Sequence, residues 1–289
     1  MSLRSGVKQL LKMGGHAFVS TVHDRLNHVD LQLNRITSEL GEMKAAVRSV
    51  KAAVAGASEE FAAHETRVFA LLARAGFAPA VIFDIGAARG AWSASIRNVF
   101  PEAAFHMFEP LAKLNEGYEK SLRAQLQSHP NFTLHEIALG AERKLVTMCL
   151  HADGYSSTTL DIGGHPEYQA RQIVPQDTLD QYVSEHGLPL PDLIKLDTQG
   201  AEQAILSQAD RCLAQAKVVF AETWFDRGYG PQTPLITELR DLLGRQGFQL
   251  AELGYRFYDE NHRLYGCDAF FLRRPFLEKI ASLMPSGPW

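Results

Sequence analysis

The stretch that most constrains this chain is residues 81–90. Three apolar residues lead into Asp84, and glycines at positions 86 and 90 bracket a turn of small residues. Residues 91–100 then repeat apolar side chains at helical spacing. A buried strand, a glycine turn and a helix in this order predict the first unit of a doubly wound α/β sheet. Such sheets bind ligands at the carboxyl ends of their strands.

Asp84 narrows the class of ligand. A turn that binds a pyrophosphate offers backbone N–H groups to an anion, and a carboxylate beside it would oppose that field. S-adenosylmethionine has no phosphate and carries an ammonium and a sulfonium, so an acid at the tip of the first strand suits it. We therefore predict that Asp84, Gly86, Ala87 and Gly90 bind S-adenosylmethionine. The alternative is that Asp84 only caps the turn.

Glu109 ends the second predicted strand, residues 103–108. An acid at this place can accept hydrogen bonds from the two ribose hydroxyls of a bound nucleoside. The alternative is that Glu109 caps the helix that follows Pro110. The third predicted strand, residues 132–139, ends beside the expected adenine. The residues that we expect to contact the adenine are Glu136, Ile137 and Ala138.

Composition excludes several classes of protein. The formal net charge of -4 argues against a general nucleic-acid binder. The three cysteines show no paired or metal-type spacing, which indicates reduced thiols and a cytoplasmic protein. No apolar run approaches the roughly 18 residues of a transmembrane helix.

Residues 19–57 place apolar side chains at alternating steps of three and four, which is the heptad pattern of a coiled coil. We predict an oligomerisation helix that joins two to four copies of the chain. The alternative is an amphipathic helix that packs on its own domain. Residues 1–18 are expected to form a tail or a short amphipathic helix, and residues 58–289 the catalytic domain.

The rest of the chain continues the alternation of strands and helices. Residues 144–150 are typical of a peripheral, antiparallel strand, and the polar, glycine-rich residues 153–166 of a substrate loop. The remaining strands are expected at residues 192–197, 217–222, 248–257 and 267–273. The last two suit an antiparallel hairpin at the edge of an otherwise parallel sheet.

The order of these motifs resembles that of the FkbM family of S-adenosylmethionine-dependent methyltransferases over about residues 80–273. The matching segments are Phe83–Ala87 with Gly90, Phe108–Pro110, Ala138–Gly140, Ser156–Ser157, Thr178–Asp180, Ile194–Asp197 with Gly200–Glu202, and Glu222. The resemblance implies a class I methyltransferase (Rossmann-like) fold, with a seven-stranded, mostly parallel sheet whose last strand is antiparallel, and usually O-methylation. One departure is Thr198-Gln199, where the family commonly has a hydrophobic residue and a glutamate.

Methyl transfer to an alcohol needs a base or a metal ion, because a hydroxyl is a poor nucleophile at neutral pH. The catalytic candidates are Asp197, Glu222 and Lys195, at or near the ends of strands expected beside the first. In one hypothesis Asp197 is the base. In a second, Asp197 and Glu222 together hold a divalent cation such as Mg²⁺, which oxygen ligands suit. The structural alternative is that Lys195 pairs with Glu202 and organises the turn.

The sequence therefore predicts an oligomeric S-adenosylmethionine-dependent methyltransferase that acts on a hydroxyl of a sugar, glycan or secondary metabolite. One alternative is an NAD(P)-dependent oxidoreductase on a similar sheet, against which Asp84 argues. The other is a non-catalytic coiled-coil scaffold with a degenerate cofactor-binding domain. Asp84, Gly86 and Glu109 weigh against this second alternative.

Overall fold

The computed structural model describes residue 32 and residues 64–151, 156–163 and 167–283. The chain divides into two units, Met1–Glu60 and Phe61–Trp289, and every described strand belongs to the second. The predicted tail at 1–18 lies outside the described residues. So does the predicted coiled coil at 19–57, except for Gln32, which is helical and exposed.

The described residues alternate between strands and helices. The strands are β1 Val81–Ile85, β2 Ala104–Phe108, β3 Phe132–His135, β4 Ala138–Leu139, β5 Lys144–His151, β6 Tyr168–Asp177, β7 Leu193–Leu196, β8 Val218–Trp224, β9 Phe248–Tyr258 and β10 Leu264–Arg273. The helices are α1 with described residues 64–74, α2 Ala91–Ile96, α3 Glu116–Ser128, α4 Leu179–Glu185, α5 Glu202–Leu206, α6 Asp210–Gln215, α7 Ile236–Arg245 and α8 Arg274–Leu283. None of the described helices is long and apolar enough to cross a membrane.

Seven strands form the main sheet, in the order β3-β2-β1-β7-β8-β10-β9. β1 pairs in parallel with β2 on one side and with β7 on the other. β10 runs antiparallel to both β8 and β9, so the final hairpin lies at the sheet edge as predicted. This is the expected mostly parallel, seven-stranded sheet of a class I methyltransferase. Chain order reverses at β1, and the crevice outside its carboxyl end is where such sheets bind ligands.

Both faces of the sheet are covered, which explains why all five residues of β1 are buried. On one face, Phe69 of α1 packs edge-on against Trp92 and Phe220, with ring centroids 5.8 and 5.6 Å apart. Phe77, just after α1, contacts Phe276 of α8 at 5.3 Å. The two ends of the described domain therefore meet on this face.

A second, three-stranded sheet has the order β4-β6-β5. It confirms the predicted strand at 144–150, which as β5 runs antiparallel to β6. The prediction of one continuous strand at 132–139 was wrong. The backbone N–H of Ile137 donates to the carbonyl of His135 (3.0 Å), and this tight turn ends β3 and sends β4 into the second sheet. β6, α6 and α8 have no counterpart in the sequence-based prediction.

Candidate functional site

A cavity opens at the carboxyl ends of β1, β2 and β7. It encloses about 710 Å³ of empty space, including its opening to solvent. Gly86 after β1, Glu109 after β2 and Asp197 after β7 all line it. Its apolar walls include Phe108, Leu111, Tyr118, Ile137, Ala138, Leu139 and Met148. We call this space, defined by these residues, the sheet-edge cavity.

Gly86 lets the turn after β1 approach the end of β7 closely. Its φ is +75°, and a Cβ built there would lie 1.9 Å from the carbonyl oxygen of Asp197. The N–H groups of Gly86 and Ala87 donate to the carbonyl of Phe108 at 3.0 and 3.1 Å. Gly90, with φ +73°, starts α2. Gly86 therefore lines the cavity, whereas the predicted cofactor residues Ala87 and Gly90 shape the turn behind it.

Glu109 is held by two backbone donors. Its Oε2 accepts from the N–H of Ala88 (2.8 Å), and its Oε1 accepts from the N–H of Leu111 (2.9 Å). The side chain is buried, and this burial raises its pKa to about 7 although the two hydrogen bonds lower it. Each carboxylate oxygen has a second lone pair, so the residue can tether the turn and still accept from a ligand hydroxyl. Glu109 accepts from the N–H of Leu111, as a capping residue would, but it does not cap α3. That helix begins at Glu116, and its cap is Asn115.

Asp84 is not among the residues that line the sheet-edge cavity. It is fully buried, its Oδ2 accepts from the hydroxyl of Ser93 (2.7 Å), and its Oδ1 lies 2.9 Å from Nζ of Lys195. Its charge is thus neutralised inside the protein, beneath the glycine turn. The geometry gives Asp84 a supporting position where the sequence led us to expect direct contact with the cofactor.

Lys195 is also buried beneath the turn and does not line the cavity. Its Nζ donates to the carbonyl of Gly86 (2.7 Å) and lies 3.6 Å from Oδ2 of Asp197, in addition to its pair with Asp84. Burial lowers the pKa of Lys195, but the carboxylates of Asp84 and Asp197 raise it by more than burial lowers it. The net shift is upward, so the lysine stays charged. The structural alternative, in which Lys195 pairs with Glu202, is wrong, because Lys195 forms its ion pairs with Asp84 and Asp197.

Glu202 organises a separate turn, the one after β7. Its Oε1 accepts from the N–H and the hydroxyl of Thr198, both at 2.9 Å, and from the N–H of Gly200 at 3.3 Å. This turn carries Gln199 into the cavity lining. Each of the two charged residues, Lys195 and Glu202, therefore stabilises its own loop.

Asp197 faces the sheet-edge cavity, with 43% of its side chain exposed. Its Oδ1 accepts a hydrogen bond from Nε2 of Gln199 (2.8 Å). Gln199 has a left-handed backbone with φ +56°, which is uncommon for a non-glycine residue. Its carbonyl accepts from the hydroxyl of Thr158 (2.7 Å), and its Oε1 accepts from the hydroxyl of Tyr229. Sequence reasoning missed Gln199, Thr158 and Tyr229 as site residues.

Glu222 lies on β8 beside this site but does not line the cavity. Burial, together with the nearby carboxylates of Asp197, Glu202 and Asp268, raises its pKa well above the usual range. Its Oε2 has no hydrogen-bond partner among the described residues. Burial and these neighbouring carboxylates therefore favour the protonated form of Glu222. Within the same residues, no group of three or more His, Cys, Asp or Glu side chains is placed to hold a metal ion.

Two of the three predicted adenine residues line the cavity, Ile137 and Ala138. Glu136 does not, and its carboxylate instead pairs with Lys113 at the surface (2.8 Å). The loop after β5 also reaches the cavity, which Ser157 and Thr159 line. Part of the predicted substrate loop at 153–166 thus lies at the site.

The lining of the cavity has an acidic character. Glu109 and Asp197 contribute carboxylates, and no described lysine or arginine lines the cavity. A cationic ligand would be attracted by this lining, whereas a diphosphate would face two carboxylates. The electrostatic preference inferred from Asp84 is thus present, but it comes from different acids.

The chain is similar to a curated protein that is named as an antimetabolite synthetase and to several solved methyltransferases. It is 26% identical to the AMB antimetabolite synthetase AmbE of Pseudomonas aeruginosa over 208 residues, which cover 60% of this chain. The chain spans only 10% of the length of that relative.

Two solved structures illustrate the structural likeness. The methyltransferase FkbM of Methylobacillus flagellatus KT matches with a TM-score of 0.43 and 16% identity, over 65% of this chain and 42% of that one. The magnesium protoporphyrin IX methyltransferase (ChlM) of Synechocystis PCC 6803, solved with bound SAM, matches with a TM-score of 0.39 and 16% identity, over 72% of this chain and 76% of that one.

The methyltransferase FkbM domain family matches residues 84–257. This range is more than half of the 289 residues. It begins at the buried acid of β1 and ends on β9, so it contains every residue that lines the sheet-edge cavity. The chain therefore belongs to the FkbM methyltransferase family.

Proposed function

We propose that this protein transfers a methyl group from S-adenosylmethionine to a hydroxyl group of a sugar, glycan or other small metabolite. The observation that supports this most is the acidic, apolar-walled cavity at the glycine turn. Its acids attract a positive ligand, and its walls can cover a purine.

The residues present fit S-adenosylmethionine on three counts. Gly86 leaves no side chain between the turn and the end of β7. Glu109 keeps lone pairs for the ribose hydroxyls, and Ile137 and Ala138 give an apolar surface for the adenine. When bound, S-adenosylmethionine supplies an electrophilic methyl group on a positively charged sulfur.

We assign Asp197 as the base. Its Oδ1 is held by Gln199, and Oδ2 keeps lone pairs beside Lys195 Nζ at 3.6 Å. Oδ2 accepts the hydrogen bond of the acceptor hydroxyl and takes its proton as the hydroxyl oxygen is methylated. Glu222 is the weaker candidate, because it does not line the sheet-edge cavity.

Calorimetry with S-adenosylhomocysteine and with NAD⁺ tests the cofactor. We expect heat from S-adenosylhomocysteine and none from NAD⁺. The reverse result would support the oxidoreductase alternative, and heat from neither would support the non-catalytic scaffold. Mass spectrometry of an acceptor library incubated with isotopically labelled S-adenosylmethionine then identifies the methylated hydroxyl.

The variant Asp197→Asn tests the base. We expect turnover to fall by about 10²–10⁴-fold with unchanged affinity for S-adenosylhomocysteine. The control Asp241→Asn removes a carboxylate that is exposed and outside the site. Loss of wild-type activity in EDTA that only Mg²⁺ restores would instead support a cation held by Asp197 and Glu222. Full activity of Asp197→Asn would refute both roles.

We further propose that residues 19–57 join two to four copies of the chain. The heptad pattern is the support for this proposal. Light scattering of the full chain, and of a variant with charged residues at Leu33 and Leu40, measures the mass. A monomeric full chain would contradict the proposal.

A further inference from the structure

A second cleft lies beyond the end of β8, beside the sheet-edge cavity. It encloses about 1210 Å³ of empty space, counted to its open side, and shares no lining residue with the cavity. Its aromatic walls are Tyr168, Trp224, Tyr229 and Tyr265. We call this space, defined by these four residues, the aromatic cleft.

The strand pairing of β8 and β10 builds the wall of the cleft. Trp224 is the last residue of β8 and pairs with Gly266. A Cβ at Gly266 would lie 2.8 Å from the carbonyl oxygen of Thr223 and 2.9 Å from the Phe257 ring, so glycine lets β10 pair this closely with β8 beside Trp224. Tyr229 meets the indole edge-on at 5.1 Å, and Tyr265 stacks on it at 5.7 Å.

The indole N–H of Trp224 has no partner in the part of the chain that the structure describes. Trp224 is 5% exposed, and its Nε1 is buried without a hydrogen-bond acceptor among the described residues. Buried indole N–H groups usually have an acceptor. An oxygen atom of a bound molecule would supply it.

The charges around the aromatic cleft do not select an anion. The guanidinium of Arg227 donates hydrogen bonds to the carbonyl of Thr233 (2.6 Å) and to Oε1 of Glu238 (2.5 Å). Asp161 and Glu167 add negative charge to the lining. Aromatic faces with polar groups between them suit a ligand that has apolar ring faces and a rim of hydroxyls. A pyranose ring has this character.

Two hydrogen bonds connect the aromatic cleft to the proposed base. The hydroxyl of Tyr229 donates to Oε1 of Gln199, and Nε2 of Gln199 donates to Oδ1 of Asp197 (2.8 Å). Tyr229 lines the cleft, while Gln199 and Asp197 line the sheet-edge cavity. A glutamate in place of Gln199 could not donate to Asp197 while ionised.

We infer that the aromatic cleft binds the acceptor through a sugar ring, and that Tyr229 positions Asp197 through Gln199. This inference rests on the proposed function and adds the place where the acceptor is held. Trp224 supplies a hydrogen bond to the sugar, and Tyr229 and Tyr265 supply ring faces.

Fluorine NMR tests binding in the cleft. The protein has three tryptophans, which can be replaced by 5-fluorotryptophan, and the variant Trp224→Phe assigns the signal of Trp224. Methyl pyranosides of glucose, galactose, mannose, fucose and rhamnose are titrated with and without S-adenosylhomocysteine. We expect at least one to shift the Trp224 signal and to leave that of Trp92 in place.

The outcomes separate the cleft from the proposed function. The absence of a Trp224 shift with every one of these pyranosides overturns the sugar assignment. A pyranoside shift at Trp224 without calorimetric binding of S-adenosylhomocysteine keeps the sugar site and refutes the methyltransferase proposal.

Kinetics test the positioning role of Tyr229, with the pyranoside that shifts Trp224 as the acceptor. Tyr229→Phe keeps the ring and loses the hydroxyl, so we expect kcat to fall about ten- to a hundredfold while KM for the sugar stays within about twofold. Tyr229→Ala should also raise KM. The control Tyr258→Phe, at a tyrosine that is exposed on β9, should change neither. An unchanged kcat in Tyr229→Phe overturns the positioning role.

Discussion

Gly86 offers a sharp test of how the site is built, because an alanine there meets two separate obstacles. The first is its φ of +75°, a left-handed conformation that costs an L-residue about 1–2 kcal/mol. The second is contact, since the new Cβ would lie 1.9 Å from the carbonyl oxygen of Asp197. Contacts under 3.0 Å essentially do not occur for real Cβ atoms. The turn and the end of β7 would therefore have to separate by roughly an ångström.

That separation threatens two hydrogen bonds. One joins the N–H of Asp197 to the carbonyl of Ile85 (3.0 Å), and the other joins Lys195 Nζ to the carbonyl of Gly86 (2.7 Å). A neutral bond contributes about 0.5–1.5 kcal/mol and one to a charged group about 1.5–3 kcal/mol. We expect Gly86→Ala to lower the free energy of unfolding by about 2–4.5 kcal/mol more than strain alone would.

Gly76 supplies the matched control. Its φ is +87°, and a Cβ there would meet nothing within 4 Å. Gly76→Ala therefore carries the backbone strain without the contact. Urea unfolding followed by tryptophan fluorescence compares the two variants, and calorimetry should show S-adenosylhomocysteine affinity reduced at least about tenfold in Gly86→Ala only. Equal loss of stability in both variants would refute the close approach of the turn to β7.

Three other predictions concern buried charges. Lys195→Met leaves Asp84 buried without its cation, so urea unfolding should show a free energy of unfolding lower by about 3–5 kcal/mol. Adding Asp84→Asn should restore part of this loss. Additive losses in the double variant would contradict the ion pair. Burial lowers the pKa of His135 to about 4, and the electrostatic effect of the neighbouring His106 acts in the same direction. Between pH 6.5 and about 4 the unfolded chain therefore binds more protons than the folded chain, so the free energy of unfolding falls as pH is lowered through this range. Thermal melts of His135→Asn should show a weaker dependence of the melting temperature on pH across the same range. An unchanged pH dependence would contradict this prediction. Because the pKa of Glu109 is about 7, affinity for S-adenosylhomocysteine should weaken as pH falls from 8 to 6, and Glu109→Gln should remove this dependence in calorimetry; equal wild-type affinity at both pH values would exclude it.

The main sheet could be predicted from the sequence because its strands are buried on both faces. β1 and β7 are short, nearly continuous apolar runs that each lead into a turn containing glycine. Such runs also locate the carboxyl ends of the strands, which is why Gly86, Glu109 and Asp197 were all expected at the site.

The second sheet was harder to predict because much of β6 is exposed. β6 mixes polar residues with a proline and keeps Ile173 65% exposed, so it shows neither a long apolar run nor a clean alternation. The split between β3 and β4 depends on one backbone turn at Ile137, which has no side-chain signature.

The pairing of Asp84 could not be deduced from its position alone. Sequence places Asp84 and Lys195 on neighbouring strands, but only the register, in which they are direct partners, brings their side chains together. The role of Gln199 likewise depends on Tyr229, which is thirty residues away in the chain. The only sequence signal for it was its departure from the residue common in the family.

Phe77 and Phe276 contact each other, and both lie outside residues 84–257, the range that matches the family. The folded domain is therefore longer than the matched range. Residues 84–257 contain the whole lining of the sheet-edge cavity, yet α1 before them and α8 after them seal one face of the sheet. A fragment cut at the borders of the match would lose β10, and it would leave Phe220 without the ring of Phe69 that covers it. Anyone grafting this enzyme onto another chain should therefore place the junctions outside residues 64–283.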